Sequence, residues 1–306
     1  TIGEKMTLQQ LRQVLTIAES NSMNEAAKKL FVSQPNLSAT VREVEEELGI
    51  TVFMRNNRGI TVTAEGEEFL GYAKQVVEQY HLLENRYLNV ESKKKFSVSM
   101  QHYSFAVKAF VQLAKEVGMD EYEFAVHETK TKEVIDNVKN LKSEIGVLYL
   151  SDFNEKVLRK LFKECDIEFK ELFTCNTYVY LWKKHPLAGQ KEITLDDLQE
   201  YPCLTFEQGV NNSFYYAEEM MSTYEYKRVI KADDRATMLN LMVGLNGFTL
   251  CSGIISEDLN GDDYAAIPLK ESEKMHIGYI KHKGTKLSKL GEIYINALKN
   301  YENKVL

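Results

Sequence analysis

Cysteine is scarce in this 306-residue chain. Cys165, Cys175, Cys203 and Cys251 lie far apart and form no Cys-x-x-Cys, a pattern that suits neither a zinc site nor a disulfide framework. They read as small buried residues of a reducing compartment, with a redox pair such as Cys165–Cys175 as the alternative. Long apolar runs are missing as well. Ile145 to Leu150 is typical of the longest, well short of the ~18 residues of a membrane span. Nor is there an excess of positive charge: 38 Lys+Arg stand against 45 Asp+Glu, net −7. That balance excludes a wholly basic nucleic-acid coat protein, but it leaves room for a local basic face. The opening stretch TIGEKMTLQQ has no apolar signal-peptide region, so a cytoplasmic location is expected. Internal repeats and low-complexity segments are absent too.

Chemistry-bearing motifs are few. His102, His127, Asp233, Asp234 and Cys251 are surrounded by no nucleophile motif, metal signature or phosphate loop. Gly244-Leu245-Asn246-Gly247 is too little for a dinucleotide fingerprint. Neither catalysis, a metal nor a cofactor is expected.

What is present divides into regions, as the length suggests at ~100–200 residues per domain. Residues 1–92 are dense in helix formers and hold one proline, Pro35. Beyond Lys93-Lys94-Lys95, strand-like runs alternate with helical patterns. The runs are 96–100, 124–128, 144–150, 177–182, 203–206, 228–233 and 248–252. The helical patterns are 104–116, 130–141, 153–164, 212–222, 235–244 and 287–303. Such alternation predicts βαβ units and parallel sheet, so the fold class is α/β overall.

In the first region, Leu8, Leu11, Leu15 and Ala18 give a first helix one apolar stripe. A short second helix from about Asn24 to Leu30 follows, with Asn24 as its N-cap. Ser33 caps a third helix, which tolerates Pro35 in its first turn and ends at Gly49. Leu37, Val41, Val44 and Leu48 share one face of it. The opposite face presents Pro35, Ala39 and Arg42, flanked by Asn36 and Ser38. Three helices with a tight turn before the third describe a helix-turn-helix whose third helix meets base edges. Charge placement agrees: residues 26–42 and 48–64 contain no acid, while Glu43, Glu45, Glu46 and Glu47 gather toward the far end. A phosphate-facing surface would have to be the acid-free one. Two β-like runs, 50–54 and 60–62, then flank Arg55-Asn56-Asn57-Arg58-Gly59, a hairpin with a polar tip that reads as a wing. Thr63 caps a long helix in which Phe69, Ala73, Val76, Tyr80, Leu83 and Tyr87 recur at heptad spacing, a candidate dimer seam. The chain thus reads as a winged helix-turn-helix over 1–62, a linker helix over 63–92 and an α/β region over 93–306.

These residues resemble the LysR-type transcriptional regulators. The likeness is carried by LRQVLTIAESNSMNEAAKKLFVSQPNLS, VREVEEELGITVFMR and VTAEG, then by HPLAGQKEITLDDLQEYPCLTF (185–206) and MLNLMVGLNGFTLCSG (238–253). Met23, where the family often has phenylalanine, and Ala39, where it often has a basic residue, depart from the pattern. The resemblance implies a two-lobed, periplasmic-binding-protein-like effector domain, with lobe one at 93–165 and 270–306 and lobe two at 166–269. The expected partners are double-stranded DNA, a small-molecule effector, and further copies of the chain as a homodimer extending to a homotetramer. The DNA-contacting residues would be Ser33, Gln34, Pro35, Asn36, Ser38, Ala39, Arg42, Arg55 and Arg58. In a doubly wound sheet, ligands meet the carboxyl ends of the strands. Those positions are Gln101, His102, Tyr103, Ser104, Glu128 and Thr129 in lobe one, with Phe206, Glu207, Asp233, Asp234, Arg235 and Ser252 in lobe two. Their surplus of acids makes a cationic or zwitterionic effector plausible, unless Asp233 or Asp234 simply caps a helix. A solute-binding protein or an enzyme on the same two-lobed fold is the alternative.

Overall fold

The computed structural model describes residues 6–20, 22–56, 59–87, 94–118, 121–211, 213–255 and 257–302. It divides into two compact units, Thr1–Ser92 and Lys93–Leu306.

In the first unit, α1 spans Leu8–Ala18, capped by a reciprocal Thr7–Gln10 box. Helix α2 spans Met23–Lys29. Its cap is Ser22, which accepts from the Glu25 N–H, so the helix starts two residues earlier than the expected Asn24 cap allows. Helix α3 spans Gln34–Leu48, with the Ser33 hydroxyl accepting from the Asn36 N–H and Gly49 in the left-handed region at φ 69°. Leu37, Val41 and Val44 bury against Val14, Ile17, Met23 and Ala26 to form the unit's core. Leu48, expected on the same face, lies at the last turn and is exposed. Strands β1 (Phe53–Asn56) and β2 (Gly59–Val62) pair antiparallel from Phe53↔Val62 to Asn56↔Gly59. The wing is therefore a hairpin whose first strand starts at residue 53 rather than 50. Helix α4 spans Ala64–Tyr87, and its Gly66 N–H donates to the Thr63 hydroxyl. A Cβ at Gly66 would stand 2.4 Å from the Val52 carbonyl oxygen, so glycine is what lets α4 leave the wing this closely.

The second unit contains, in chain order, β3 (Lys94–Met100), α5 (Ser104–Val117), β4 (Tyr122–Glu128), α6 (Thr131–Lys139), β5 (Ile145–Leu150), α7 (Glu155–Glu164), β6 (Ile167–Cys175), β7 (Tyr178–Trp182), β8 (Cys203–Phe206), β9 (Val229–Ala232), α8 (Arg235–Leu245), β10 (Thr249–Cys251), α9 (Glu257–Asn260), β11 (Tyr264–Pro268), β12 (Met275–His282) and α10 (Lys289–Lys299). Five strands form one sheet in the order β4-β3-β5-β12-β6. Strand β3 runs parallel to β4 and β5, whereas β12 runs antiparallel to β5 and β6. The second lobe holds β10-β7-β11, antiparallel, and the parallel pair β8-β9.

Three sequence expectations change here. The five-stranded sheet is mixed and β10-β7-β11 is antiparallel, so the expected parallel sheet is found only in part. Strand β6 belongs to the first lobe's sheet, so the chain crosses to the second lobe after Cys175, not at Asp166. The chain returns between β11, which ends at Pro268, and β12, and the Thr177 hydroxyl and N–H bond there to the Glu273 carbonyl and the Ser272 hydroxyl. Finally, 212–222 is no helix. Apart from a short 3-10 turn at Phe214–Tyr216, its described residues are irregular, with Met221 at φ 56°.

Candidate functional site

On the first unit, the buried stripe of α3 leaves its other face to solvent. Ser33, Pro35, Asn36, Ala39 and Arg42 are exposed there, while Gln34 and Ser38 are half-buried and joined by a 2.9 Å bond from Gln34 Nε2 to the Ser38 hydroxyl. Arg58 and the side chain of Arg55 lie outside the described residues. The wing is tied to α3 by Glu45, whose Oε1 accepts from the backbone N–H groups of Val52 (2.7 Å) and Phe53 (3.0 Å). One acid of the far-end cluster is thus spent on positioning the wing.

Sequence reasoning missed Phe31. It sits in the turn before α3, 96% exposed, with φ 55°. The N–H groups of Phe31 and Val32 donate to the carbonyls of Lys28 and Ala27, which closes α2 in a Schellman arrangement. Glycine usually holds that left-handed position, because a Cβ costs free energy there.

In α4 the expected seam divides. Ala73 is buried, and Phe69 packs on the helical core. The Arg12 guanidinium lies 5.1 Å over the Tyr80 ring and pairs with Glu84 at 3.3 Å. Val76 and Leu83 remain 51% and 54% exposed, with Tyr72 and Leu82 beside them. The side chain of Tyr87 lies outside the described residues.

The second unit carries a cleft of about 750 Å³, including the part open to solvent. Of the expected effector residues, His102, Tyr103, Ser104, Phe206, Arg235 and Ser252 line it. Ser104 opens α5, and Tyr103 at its cap position makes no side-chain capping bond. The His102 ring stacks on Phe206 with centroids 3.7 Å apart and planes at 5°.

The other six lie elsewhere. Gln101 is buried behind the lining, where its Oε1 accepts from the Tyr103 hydroxyl (2.9 Å) and its Nε2 donates to the Thr131 hydroxyl (2.6 Å). Glu128 pairs with Arg235 through Nε and Nη2. Thr129 bonds to Glu133, and both line a separate depression. Glu207 accepts from the Gly209 N–H and faces Lys231 at 3.7 Å. Asp233 is exposed and pairs with Lys130 at 3.4 Å. Asp234 caps α8, and the Thr237 N–H and hydroxyl hold its carboxyl below the usual range. The four acids that suggested a cationic effector are therefore matched inside the protein and do not line the cleft.

Two acids not foreseen do line it. Glu218 and Glu219 are buried and come from the irregular segment. Glu218 Oε2 accepts from the His102 N–H (2.9 Å) and from His102 Nδ1 (2.8 Å), and its Oε1 accepts from Gln208 Nε2 (2.9 Å). Glu219 Oε1 accepts from the Phe206 N–H at 2.8 Å. Burial first, then the neighbouring Glu218, push the Glu219 carboxyl up to about 8. A pair of acids within the aromatic and methionine-rich stretch YYAEEMM was the available signal.

Thr249 also lines the cleft. Its hydroxyl is buried and, among the described residues, has no hydrogen-bond partner. The Tyr180 hydroxyl is likewise unpartnered at hydrogen-bonding geometry, with the Asn260 side chain near it. Among the described residues, no three His, Cys, Asp or Glu side chains gather where a metal could sit, and no helix is long and apolar enough to cross a membrane.

A helix-turn-helix with a wing, together with two α/β lobes about a cleft, defines a ligand-responsive DNA-binding regulator. Residues 8–67 match the model of the bacterial regulatory helix-turn-helix proteins of the lysR family, and residues 101–302 match that of the LysR substrate binding domain. The chain belongs to the LysR family of transcriptional regulators, with an N-terminal DNA-binding domain and an effector-binding substrate domain. The HTH-type transcriptional regulator CysL of Bacillus subtilis is 26% identical over 97% of this chain and 98% of its own length. The transcriptional dual regulator GltC of the same organism is 30% identical over 67% of this chain and 66% of its own. Full-length OxyR from Pseudomonas aeruginosa shares the fold with a TM-score of 0.68 at 19% identity, covering 97% of this chain and 95% of that one.

Proposed function

We propose that the chain reads DNA through the exposed start of α3 and the wing, and that a small molecule in the cleft of the second unit modulates this. Ser33, Gln34, Asn36, Ser38 and Arg42 serve base edges and phosphates, Pro35 and Ala39 meet thymine methyls, and Arg55 and Arg58 reach phosphate or a narrow minor groove. Phe31 lies against the sugar–phosphate backbone beside the α3 N-terminus. The effector contacts are His102, Tyr103, Ser104, Phe206, Arg235 and Ser252. Two copies join through α4, and dimers assemble further into tetramers. The protein acts in the cytoplasm as a regulator and catalyses no reaction. The observation that carries the DNA reading is an α3 face free of acids and exposed at Ser33, Pro35, Asn36, Ala39 and Arg42, on a helix whose other face packs through Leu37, Val41 and Val44.

Fluorescence anisotropy on genomic fragments at low salt tests it. Arg42→Ala is expected to weaken binding by about 1–3 kcal/mol at preferred sites if it reads a base, and evenly across fragments if it meets phosphate. Phe31→Gly is expected to keep or raise the melting temperature, because it relieves a left-handed Phe, while weakening DNA binding. No preference for any fragment, with both variants binding as the parent does, would remove this face from the interface.

A further inference from the structure

The cleft contains charged side chains, yet each is already answered from within the protein. Arg235 is engaged through Nε and Nη2 by Glu128. Glu218 receives three donors, two from His102 and one from Gln208. Glu219 accepts from the Phe206 N–H, and its burial beside Glu218 holds its proton. What the cleft leaves unanswered is uncharged. Thr249, a residue 7% exposed, lines this space, and its buried hydroxyl has no partner among the described residues, as is true of the Tyr180 hydroxyl. Much of the remaining wall is apolar, with Phe105, Met238, Leu239, Leu250 and Ile254 among its residues.

Resting on the reading that this cleft is the effector site, we infer that its effector is an uncharged, mostly apolar molecule carrying a hydroxyl or carbonyl oxygen that bonds to Thr249. A carboxylate would have to draw Arg235 from Glu128 and leave that acid unpaired in a half-buried place. An ammonium would have to displace the donors that hold Glu218. Either exchange strands a charge whose desolvation has been met, and breaking such a pair costs more than forming it gains. An uncharged ligand breaks none of these bonds. It covers the apolar wall and satisfies a buried hydroxyl that otherwise goes without a partner. The α5 N-terminus with Ser104 offers a carboxylate the one competing place, and the test includes it.

The test uses the full-length chain and three ring-matched probes: benzyl alcohol, benzoate and benzylamine. Each is added at equal concentrations at pH 7, and the melting temperature is read, which a ligand of the folded state raises. Benzyl alcohol is expected to raise it, and the two ions to leave it unchanged. Thr249→Val removes the unpartnered hydroxyl at nearly constant volume, so the free variant is expected to melt no lower than the parent. Its affinity for benzyl alcohol should fall about tenfold, the worth of one hydrogen bond. A rise with benzoate or benzylamine as large as that with benzyl alcohol, lost in Ser104→Ala or Thr249→Val, overturns the inference but leaves the cleft as the effector site. An equal response of parent and Thr249→Val to benzyl alcohol overturns the assignment of Thr249. No rise with any of the three overturns both the inference and the cleft reading.

Discussion

Glu219 is a carboxyl held away from water, and the consequence can be read in solution. Its folded-state value of about 8 stands above the ordinary 4.5, with burial as the first cause and Glu218 as the second. Below about 4.5 both folded and unfolded chains carry the proton and the group has no effect. Between 4.5 and 8 the unfolded chain releases it while the folded chain keeps it, so this group's contribution to stability falls as pH rises across that window. Glu219→Gln keeps an oxygen for the Phe206 N–H and carries no titrating proton. Melting curves from pH 5 to 8 are expected to fall less steeply for the variant than for the parent, with the variant gaining most at pH 8. Parallel pH profiles would mean that Glu219 ionises freely in the fold. At this scale the sequence was legible wherever the chemistry is local. Ser33 and Gly49 announce the ends of α3 because a capping hydroxyl and a left-handed glycine act within four residues. Glu218 was not legible, because the backbone and ring it holds belong to His102, 116 residues away.

Helices and strands show the same division. The N-terminal helices follow from periodicity, since each buries one stripe in a small core of its own. Strand β6 escaped notice because it is an edge: IEFKELFTC carries Glu168, Lys170 and Glu171, charges that an edge strand tolerates and a central strand does not. Strand β12 runs unbroken through Gly278, where the register with β6 shifts past Leu172 and the Phe169 ring occupies the space that a Cβ would need. Helix α4 is a further case, for the heptad spacing served two masters. Phe69 and Ala73 pack on its own unit and Arg12 engages Tyr80 and Glu84, whereas Val76 and Leu83 are left exposed. Two exposed aliphatic side chains a heptad apart on one helix suit a partner helix. Replacing both with glutamate is therefore expected to lower the mass measured by light scattering to that of a smaller assembly. The melting of residues 1–92 should change little, because neither side chain belongs to that unit's core. An unchanged mass would place the seam elsewhere.

Across the second unit, polar bonds span the two lobes alongside the apolar cluster they share. Thr131, at the first turn of α6, is the node. Its hydroxyl accepts from Gln101 Nε2 within the first lobe and donates to the Tyr216 carbonyl of the second at 2.7 Å, and its N–H donates to Gln208 Oε1 at 3.2 Å. Tyr149 adds a bond from its hydroxyl to the Ala217 carbonyl at 3.1 Å, and His102–Glu218, Glu128–Arg235 and Lys130–Asp233 complete the span. Alternating strands and helices made the α/β character readable, and the two-lobed plan came from the family resemblance. These bonds were not readable, because most of them end on the irregular stretch after β8, which periodicity assigned to a helix. Thr131→Val keeps the shape of the side chain and removes the hydroxyl, leaving Gln101 Nε2 and the Tyr216 carbonyl without that partner. Each buried group left unpaired costs about 1–3 kcal/mol. The Tyr216 carbonyl belongs to the second lobe, so part of that cost falls on the contact between the lobes, which an apolar cluster with residues of both also holds. Hydrogen exchange is accordingly expected to quicken over 213–224 while β3 and β5 remain protected, and any ligand that binds the closed form should bind more weakly in proportion to the closed fraction. Should exchange quicken evenly over both lobes, or should 213–224 stay as protected as in the parent, the Thr131 hydroxyl is part of the first lobe's own packing and the other contacts between the lobes hold closure.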